Sequence, residues 1–274
     1  MVSLNCRSLV ALECRALLRR WADEPGHRAD ILLLQETWHL EPLEVEGWEG
    51  EWSDAPPGGQ PCKGVAILVR QELLAERRVG PIKRVGYVWR ERGYQALVAS
   101  VGKLRFGSVY YFNGQGCSPE RYEELCEDLV GLRGADPGVG FIVGGDFNWP
   151  QAAPALCDLM GQHLGLEATL KPGRAVTRRG SLLDNIFFSA SAGFVPGGVV
   201  SAQGLSDHDA VAGRARRGGW GGGEGGWRGG RSNMSGGGAW GGTGGREQQR
   251  WWQRWRPRWG RGRHIPPSWM SRSS

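Results

Sequence analysis

The sequence predicts an α/β domain of packed sheets flanked by helices, followed by a tail that does not fold. Three observations predict it. Ile31–Leu34, Val65–Val69 and Phe141–Val143 are unbroken apolar runs, too short for helices and suited to strands buried on both faces. Helical stretches alternate with such strands but without a regular βαβ repeat, which favours packed sheets over a barrel. Beyond Arg214 the apolar periodicity stops, and Gly dominates residues 218–245. A segment with nothing to bury cannot offset its ordering entropy.

Each element has its own signal. Only Met1-Val2-Ser3-Leu4 precede Asn5, so the first strand is short. A helix is expected from Ser8 to Trp21, with Leu9, Leu12, Ala16 and Leu17 on one stripe. Gly47–Lys63, rich in Gly, Pro, Trp and acidic residues, reads as loop. Gln95–Val101 and Leu104–Tyr111 are further strands. Ser118-Pro119 supplies an N-cap and a first-turn proline for a helix that buries Tyr122, Leu125, Leu129 and Leu132. After Phe141–Val143, two glycines end the strand before Asp146 and permit a tight turn. A helix near Ala155–Leu164, a strand at Leu183–Phe188 and a last strand at Asp209–Arg214 complete the domain, which is placed at 1–213, with the tail at 214–274.

Charge divides the chain in the same place. The net +6 is the sum of −5 over residues 1–213 and +11 over residues 214–274. High overall basicity therefore says little about the domain itself. The six cysteines, Cys6, Cys14, Cys62, Cys117, Cys126 and Cys157, show no Cys-x-x-Cys spacing, so thiols in a reducing compartment are expected. No apolar run approaches the length of a membrane span, and the first twenty residues carry Glu13 and several Arg, unlike a secretion signal. An intracellular location is expected, in the nucleus if genomic DNA is the target.

Polar residues follow the apolar runs at five places: Ser3-Leu4-Asn5, Gln35-Glu36-Thr37, Gly144-Gly145-Asp146-Phe147-Asn148, Leu182-Leu183-Asp184-Asn185 and Leu205-Ser206-Asp207-His208. That is the pattern of side chains set at the ends of buried strands. Asn5 alone reads equally as a helix cap, Glu36 as a strand-end surface carboxylate, the Asp146 segment as an ordinary turn, and Tyr110 as core. Asp184 within an apolar strand needs a partner. Phosphodiester hydrolysis needs a cation on the phosphate, an activated water, and stabilisation of the leaving oxygen.

Taken in order, these segments resemble the endonuclease/exonuclease/phosphatase superfamily over roughly residues 1–213. The resemblance implies a four-layered α/β sandwich, two central mixed sheets flanked by helices. It implies that Glu36 binds the metal, assisted by Asn5 and Asp207. All are oxygen donors, which favours Mg²⁺, with Mn²⁺ as the alternative, over Zn²⁺. It gives Asp146 the attacking water, Asn148 the phosphate or pentavalent intermediate, and His208 a positive charge held by Asp184. In Tyr110-Tyr111-Phe112-Asn113, Tyr110 and Asn113 would lie near the phosphate. The sequence departs from the family pattern where Leu182-Leu183 precedes Asp184 and where Phe112 replaces a proline.

Asn5-Cys6-Arg7-Ser8-Leu9 and Leu34-Gln35-Glu36-Thr37-Trp38 look like endonuclease domains of non-LTR retrotransposons. The expected activity is therefore a metal-dependent DNA endonuclease that nicks target DNA. Abasic-site repair is the alternative, and lipid or inositol phosphate hydrolysis is a further one. Arg174, Arg178 and Arg179 would touch flanking DNA phosphates, or form a solvated basic loop. A different class stays open: a nucleic-acid-binding protein with a vestigial nuclease body. The Arg/Trp tail, with Trp251-Trp252-Gln253-Arg254-Trp255, suits RNA or single-stranded nucleic acid because Trp stacks on bases while Arg neutralises phosphates. The same composition would also adsorb to anionic membranes. The sequence leaves the oligomeric state open.

Overall fold

The computed structural model describes residues 1–25, 28–55, 63–77, 80–91, 93–112, 119–136, 138–148, 153–171, 177 and 182–215. Asn113, Ser118, Arg174, Arg178, Arg179 and the tail from 216 onward lie outside the described residues, as do Cys62 and Cys117. In chain order the elements begin with β1 (Val2–Asn5), α1 (Leu12–Ala22), β2 (Ile31–Gln35), β3 (Trp48–Trp52), β4 (Val65–Arg70) and α2 (Gln71–Arg77). There follow β5 (Lys83–Trp89), β6 (Tyr94–Val101), β7 (Leu104–Tyr111), α3 (Pro119–Arg133) and β8 (Gly140–Asp146). The last are α4 (Ala153–Leu164), β9 (Leu166–Ala168), β10 (Asp184–Ser189), β11 (Phe194–Val200) and β12 (Ala210–Ala215).

The strands form two six-stranded sheets, ordered β11-β12-β1-β2-β4-β3 and β5-β6-β7-β8-β10-β9. Both are mixed. Each has one parallel pair at its centre, β1 with β2 and β7 with β8, and antiparallel neighbours elsewhere.

Side-chain alternation along the strands builds the layers. Leu33, Ile67 and Val69 of the first sheet share a core with Leu97, Phe106, Ile142 and Ile186 of the second. Their chain neighbours Leu32, Leu34, Ala66 and Leu68 face the other way, onto Leu18, Trp21 and Ala22 of α1. Ala96, Val98, Val109 and Val143 of the second sheet pack on Tyr122, Leu125 and Leu129 of α3 and Met160 of α4. The order is helix, sheet, sheet, helices. Both faces of each central strand are apolar for that reason, which is why these strands read as unbroken runs.

Four expectations need correction. The first helix starts at Leu12, not Ser8. Beyond β1 the chain stays paired to the segment after β2, with Ser8 N–H on Glu36 O (2.7 Å) and Leu9 N–H on Thr37 O (2.9 Å). Arg7 and Ser8 take positive φ there, and Leu9 is fully buried, so no helix begins until that anchor is passed. Its N-cap is Ala11, with no side-chain cap, so Asn5 caps nothing. Gly47–Lys63 is not all loop, because Trp48–Trp52 is a strand paired with β4.

Gly144 and Gly145 do not turn the chain; they belong to β8, which continues to Asp146. A Cβ on Gly144 would lie 2.7 Å from Ser3 Cβ and 2.8 Å from Leu33 Cδ1 of the opposite sheet. One on Gly145 would lie 2.3 Å from Val109 O. Gly144 lets the two sheets approach closely just before Asp146, and Gly145 lets β8 lie tight against β7 of its own sheet.

Candidate active site

One register row crosses the second sheet. Trp89 of β5 lies opposite Gln95 of β6, Gln95 opposite Tyr110 of β7, Tyr110 opposite Asp146 of β8, and Asp146 opposite Asp184 of β10. Register partners share a face of the sheet, at about 4.8 Å per strand. In the first sheet Asn5, at the end of β1, lies opposite Gln35, at the end of β2. The sandwich thus brings the polar strand ends of both sheets together. Gln35 helps fix the two sheets, since its Nε2 donates to Ser108 Oγ (3.0 Å), which itself donates to Leu34 O (2.8 Å).

Glu36 follows β2 with φ 52° and is half-buried. Its Oε1 accepts from Asn5 Nδ2 at 2.8 Å and from Tyr110 OH at 2.9 Å. Among the described residues no hydrogen bond takes its Oε2, so one carboxylate oxygen is oriented by protein donors and the other is available to a cation. Asn5 Nδ2 also donates to Asp146 Oδ2 at 2.9 Å, which links the two carboxylates through one amide. Asp207 is ion-paired at 3.4 Å to Arg7, two residues beyond Asn5.

Asp146, Asp184 and His208 form the second part, and all three are buried. His208 Nδ1 is 2.9 Å from Asp184 Oδ2, and its Nε2 is 3.9 Å from Asp146 Oδ2. Burial, and then the neighbouring Asp184 carboxylate, push the Asp146 pKa up to about 8; His208 and the donors Asn5 and Asn148 pull the other way. Asn148 donates its backbone N–H to Asp146 Oδ1 (3.0 Å) and its Nδ2 to Tyr111 O (2.7 Å). Ligand atoms of Asp146, Asp184 and His208 lie within 4.8 Å of one another, a spacing that would hold a metal ion.

Sequence reasoning singled out these residues and missed their supports. Ser206 Oγ donates to Asn5 O (2.6 Å) and accepts from His208 N–H (3.1 Å), tying the His208 loop to β1. Thr177 Oγ1 accepts the N–H groups of Leu183 and Asp184, both at 3.1 Å, and its carbonyl accepts Asp209 N–H. Thr177 follows no apolar run, so nothing in the sequence marked it, and Ser206 stood in the Leu205–His208 segment without a role of its own. Five described non-glycine residues have positive φ: Arg7, Ser8, Glu36, Trp38 and Asn148. All five sit at the strand ends that carry the site, where backbone strain concentrates in functional sites. Asn113, Arg178 and Arg179 lie outside the described residues.

A model of the Endonuclease/Exonuclease/phosphatase family matches residues 2–208. A search of curated proteins by sequence gives no significant match. Among solved structures, the mannosyl-6-phosphatase of Bacteroides thetaiotaomicron is 14% identical, with a TM-score of 0.54 over 78% of this chain and 97% of that one. The endonuclease domain of TRAS1, a telomere-specific non-LTR retrotransposon, is 17% identical, with a TM-score of 0.52 over 78% and 96%. The catalytic domain of human nocturnin is 18% identical, with a TM-score of 0.50 over 77% and 90%. At these identities the likeness is one of fold.

Proposed function

Since the chain belongs to the Endonuclease/Exonuclease/phosphatase family, a family of hydrolases that use divalent metals, we propose that it is a Mg²⁺-dependent phosphodiesterase. Its substrate class is DNA, and its activity is nicking of the retrotransposon-endonuclease type. The observation that carries the reading is the junction where Asn5 Nδ2 joins Glu36 to Asp146, with His208 3.9 Å beyond. Two differently housed carboxylates joined by one amide, with an imidazole beside the buried one, suit a cation, a water and a phosphate.

Glu36 is the residue that would hold the cation, because its carboxylate is oriented by two donors and remains partly open. Asn5, which contacts it, and Asp207 would assist. Asn5 could ligate through its carbonyl only with its amide turned over, since Nδ2 now faces both carboxylates. A bound Mg²⁺ supplies charge stabilisation on the phosphate oxygens. Asp146 takes the proton of the attacking water, and its raised pKa brings its basicity near neutral pH. Asn148 orients that carboxylate through its N–H and keeps one amide hydrogen for the phosphate. Asp184 fixes His208 through Nδ1, so that Nε2 faces the reacting group. The domain doing this work is 1–213; the basic tail, 214–274, adds affinity for single-stranded nucleic acid.

The test is a supercoiled-plasmid nicking assay with Mg²⁺, run beside an abasic-site oligonucleotide and a phosphoinositide. Nicking of intact DNA supports the proposal. Strict dependence on the abasic site replaces it with repair, and activity on the lipid headgroup alone overturns it. Truncation after Arg214 that preserves cleavage but loses RNA affinity would separate the tail's role from the domain's.

A further inference from the structure

The register row that carries Tyr110, Asp146 and Asp184 does not stop at the acidic residues. It continues outward through Gln95 to Trp89, on β5. Trp89 is half-buried and meets Phe112, with ring centroids 5.2 Å apart. Phe112 in turn meets Tyr110, edge to face, at 5.4 Å. The aromatic lane therefore runs without a break from the hydroxyl that holds Glu36 to the edge of the sheet. Lys63, two residues before β4 of the opposite sheet, closes it. Its Nζ lies 4.0 Å from the Phe112 ring centre and 4.7 Å from that of Trp89.

Nothing in the hydrolytic chemistry needs this arrangement. Two partly open aromatic faces topped by an ammonium group cost hydration and gain only modest cation–π attraction when nothing else binds. Gln95 adds a second observation. It is fully buried and lies in the row between Trp89 and Tyr110. Its Oε1 accepts Gly64 N–H at 2.9 Å, but its Nε2 has no hydrogen-bond partner among the described residues. A buried amide with an unused donor is costly unless a bound group satisfies it.

We propose that Lys63, Trp89, Phe112 and Gln95 form a nucleotide subsite that holds the base and phosphate flanking the scissile bond. The aromatic rings offer a stacking face that suits any base, Lys63 offers the charge for the neighbouring phosphate, and Gln95 offers a donor to a base or phosphate oxygen. Spacing supports it. Trp89 stands three strands from Asp146, about 14 Å at 4.8 Å per strand. That is the reach of one or two nucleotides from the reacting phosphate. A sugar or inositol ring could lay only C–H bonds on these rings, whereas a base adds π stacking, so removal of the base tells the two kinds of contact apart. The proposal rests on the nuclease reading for its substrate class, but its test requires no turnover.

The experiment measures binding of a short phosphorothioate single-stranded oligonucleotide, with each position near the cut replaced in turn by a tetrahydrofuran residue that lacks a base. In the wild-type protein, one flanking position should lose about tenfold in affinity when its base is removed, the scale of one stacked base. Trp89→Ala should lose a similar factor on the intact oligonucleotide, and then show no further loss on the baseless one. Trp89→Phe should retain most of the affinity. Lys63→Ala should lower the slope of log affinity against log salt by roughly 0.7, one phosphate contact on a single strand. Undetectable oligonucleotide binding overturns the subsite, and so does an equal baseless penalty in wild type and Trp89→Ala. Hydrolysis of bis(p-nitrophenyl) phosphate by the wild-type protein is measured separately. Its absence would sink the catalytic reading while the binding result still decides the subsite.

Discussion

Glu36 and Asp146 are both carboxylates at strand ends, and one Asn5 amide touches both, yet their surroundings differ. Glu36 is half-buried and shares one oxygen between an amide and a phenol. Asp146 is fully buried, faces a second carboxylate, and carries a pKa pushed up to about 8. Bulk solvent contacts the first and not the second. A hard, strongly hydrated cation suits the site that water reaches, whereas a proton suits the carboxylate whose charge is expensive. The difference teaches that residue type alone does not assign roles here; on the proposed reading, environment would divide one chemical group into a cation ligand and a base.

The largest effect should come from breaking the buried half. Asp146→Asn removes the base and should reduce nicking to background at saturating DNA, while Mg²⁺ and DNA affinities stay near wild type. On the proposed reading His208 acts on the transition state, so His208→Ala should lower turnover by roughly 10²–10³. If both variants nick plasmid at the wild-type rate, the domain is a binding scaffold.

Asp184→Asn sharpens the comparison within that half. It leaves the imidazole in place but takes away the carboxylate 2.9 Å from Nδ1. Turnover should fall, but by less than the roughly 10²–10³ expected for loss of the ring itself. A loss larger than that of His208→Ala would give Asp184 a role of its own.

Breaking the open half should act through the metal. Glu36→Gln should shift the Mg²⁺ dependence of cleavage to higher concentration, and excess Mn²⁺ should restore part of the rate. The rival arrangement puts the cation among Asp146, Asp184 and His208, whose ligand atoms lie within 4.8 Å. In that case Glu36→Gln would leave the metal titration unchanged, and His208→Ala would move it instead.

The buried strands and the residues at their ends were legible because each apolar run is interrupted where the site begins. Asn5, Glu36, Tyr110, Asp146 and Asp184 lie at or next to strand ends, and His208 lies just before β12. Edge strands were less visible. β3 reads Trp-Glu-Gly-Glu-Trp, and β11 contains Pro196 and two glycines, so neither shows an apolar run. β5 escaped because its residues are exposed or half-buried, and the proposed nucleotide subsite ends there. The double glycine before Asp146 looked like a turn because turn and close sheet contact both favour a missing Cβ, and only the position of Ser3 and Leu33 separates them. Thr177 and Ser206 act by backbone hydrogen bonds, for which hydroxyl residues in loops carry no spacing signal.

The smallest effect separates the two halves without catalysis. In metal-free protein, the Asp146 pKa lies near 8 in the fold against an ordinary 3.8 when unfolded. Below that ordinary value both states bear the proton, and pH has no effect through this group. Between about 4 and 8 the unfolded chain has lost the proton while the folded protein keeps it. Stability therefore falls as pH rises through that window, and levels off above it. Asp146→Asn abolishes the titration, so its urea midpoint should decline less with pH over the same range, with EDTA present throughout. Its midpoint at low pH should not exceed that of the wild type, because Asn5 Nδ2 would meet an amide where it now meets carboxylate oxygen. Parallel pH profiles for the two proteins would mean that Asp146 is charged in the fold, and the distinction drawn between it and Glu36 would fail.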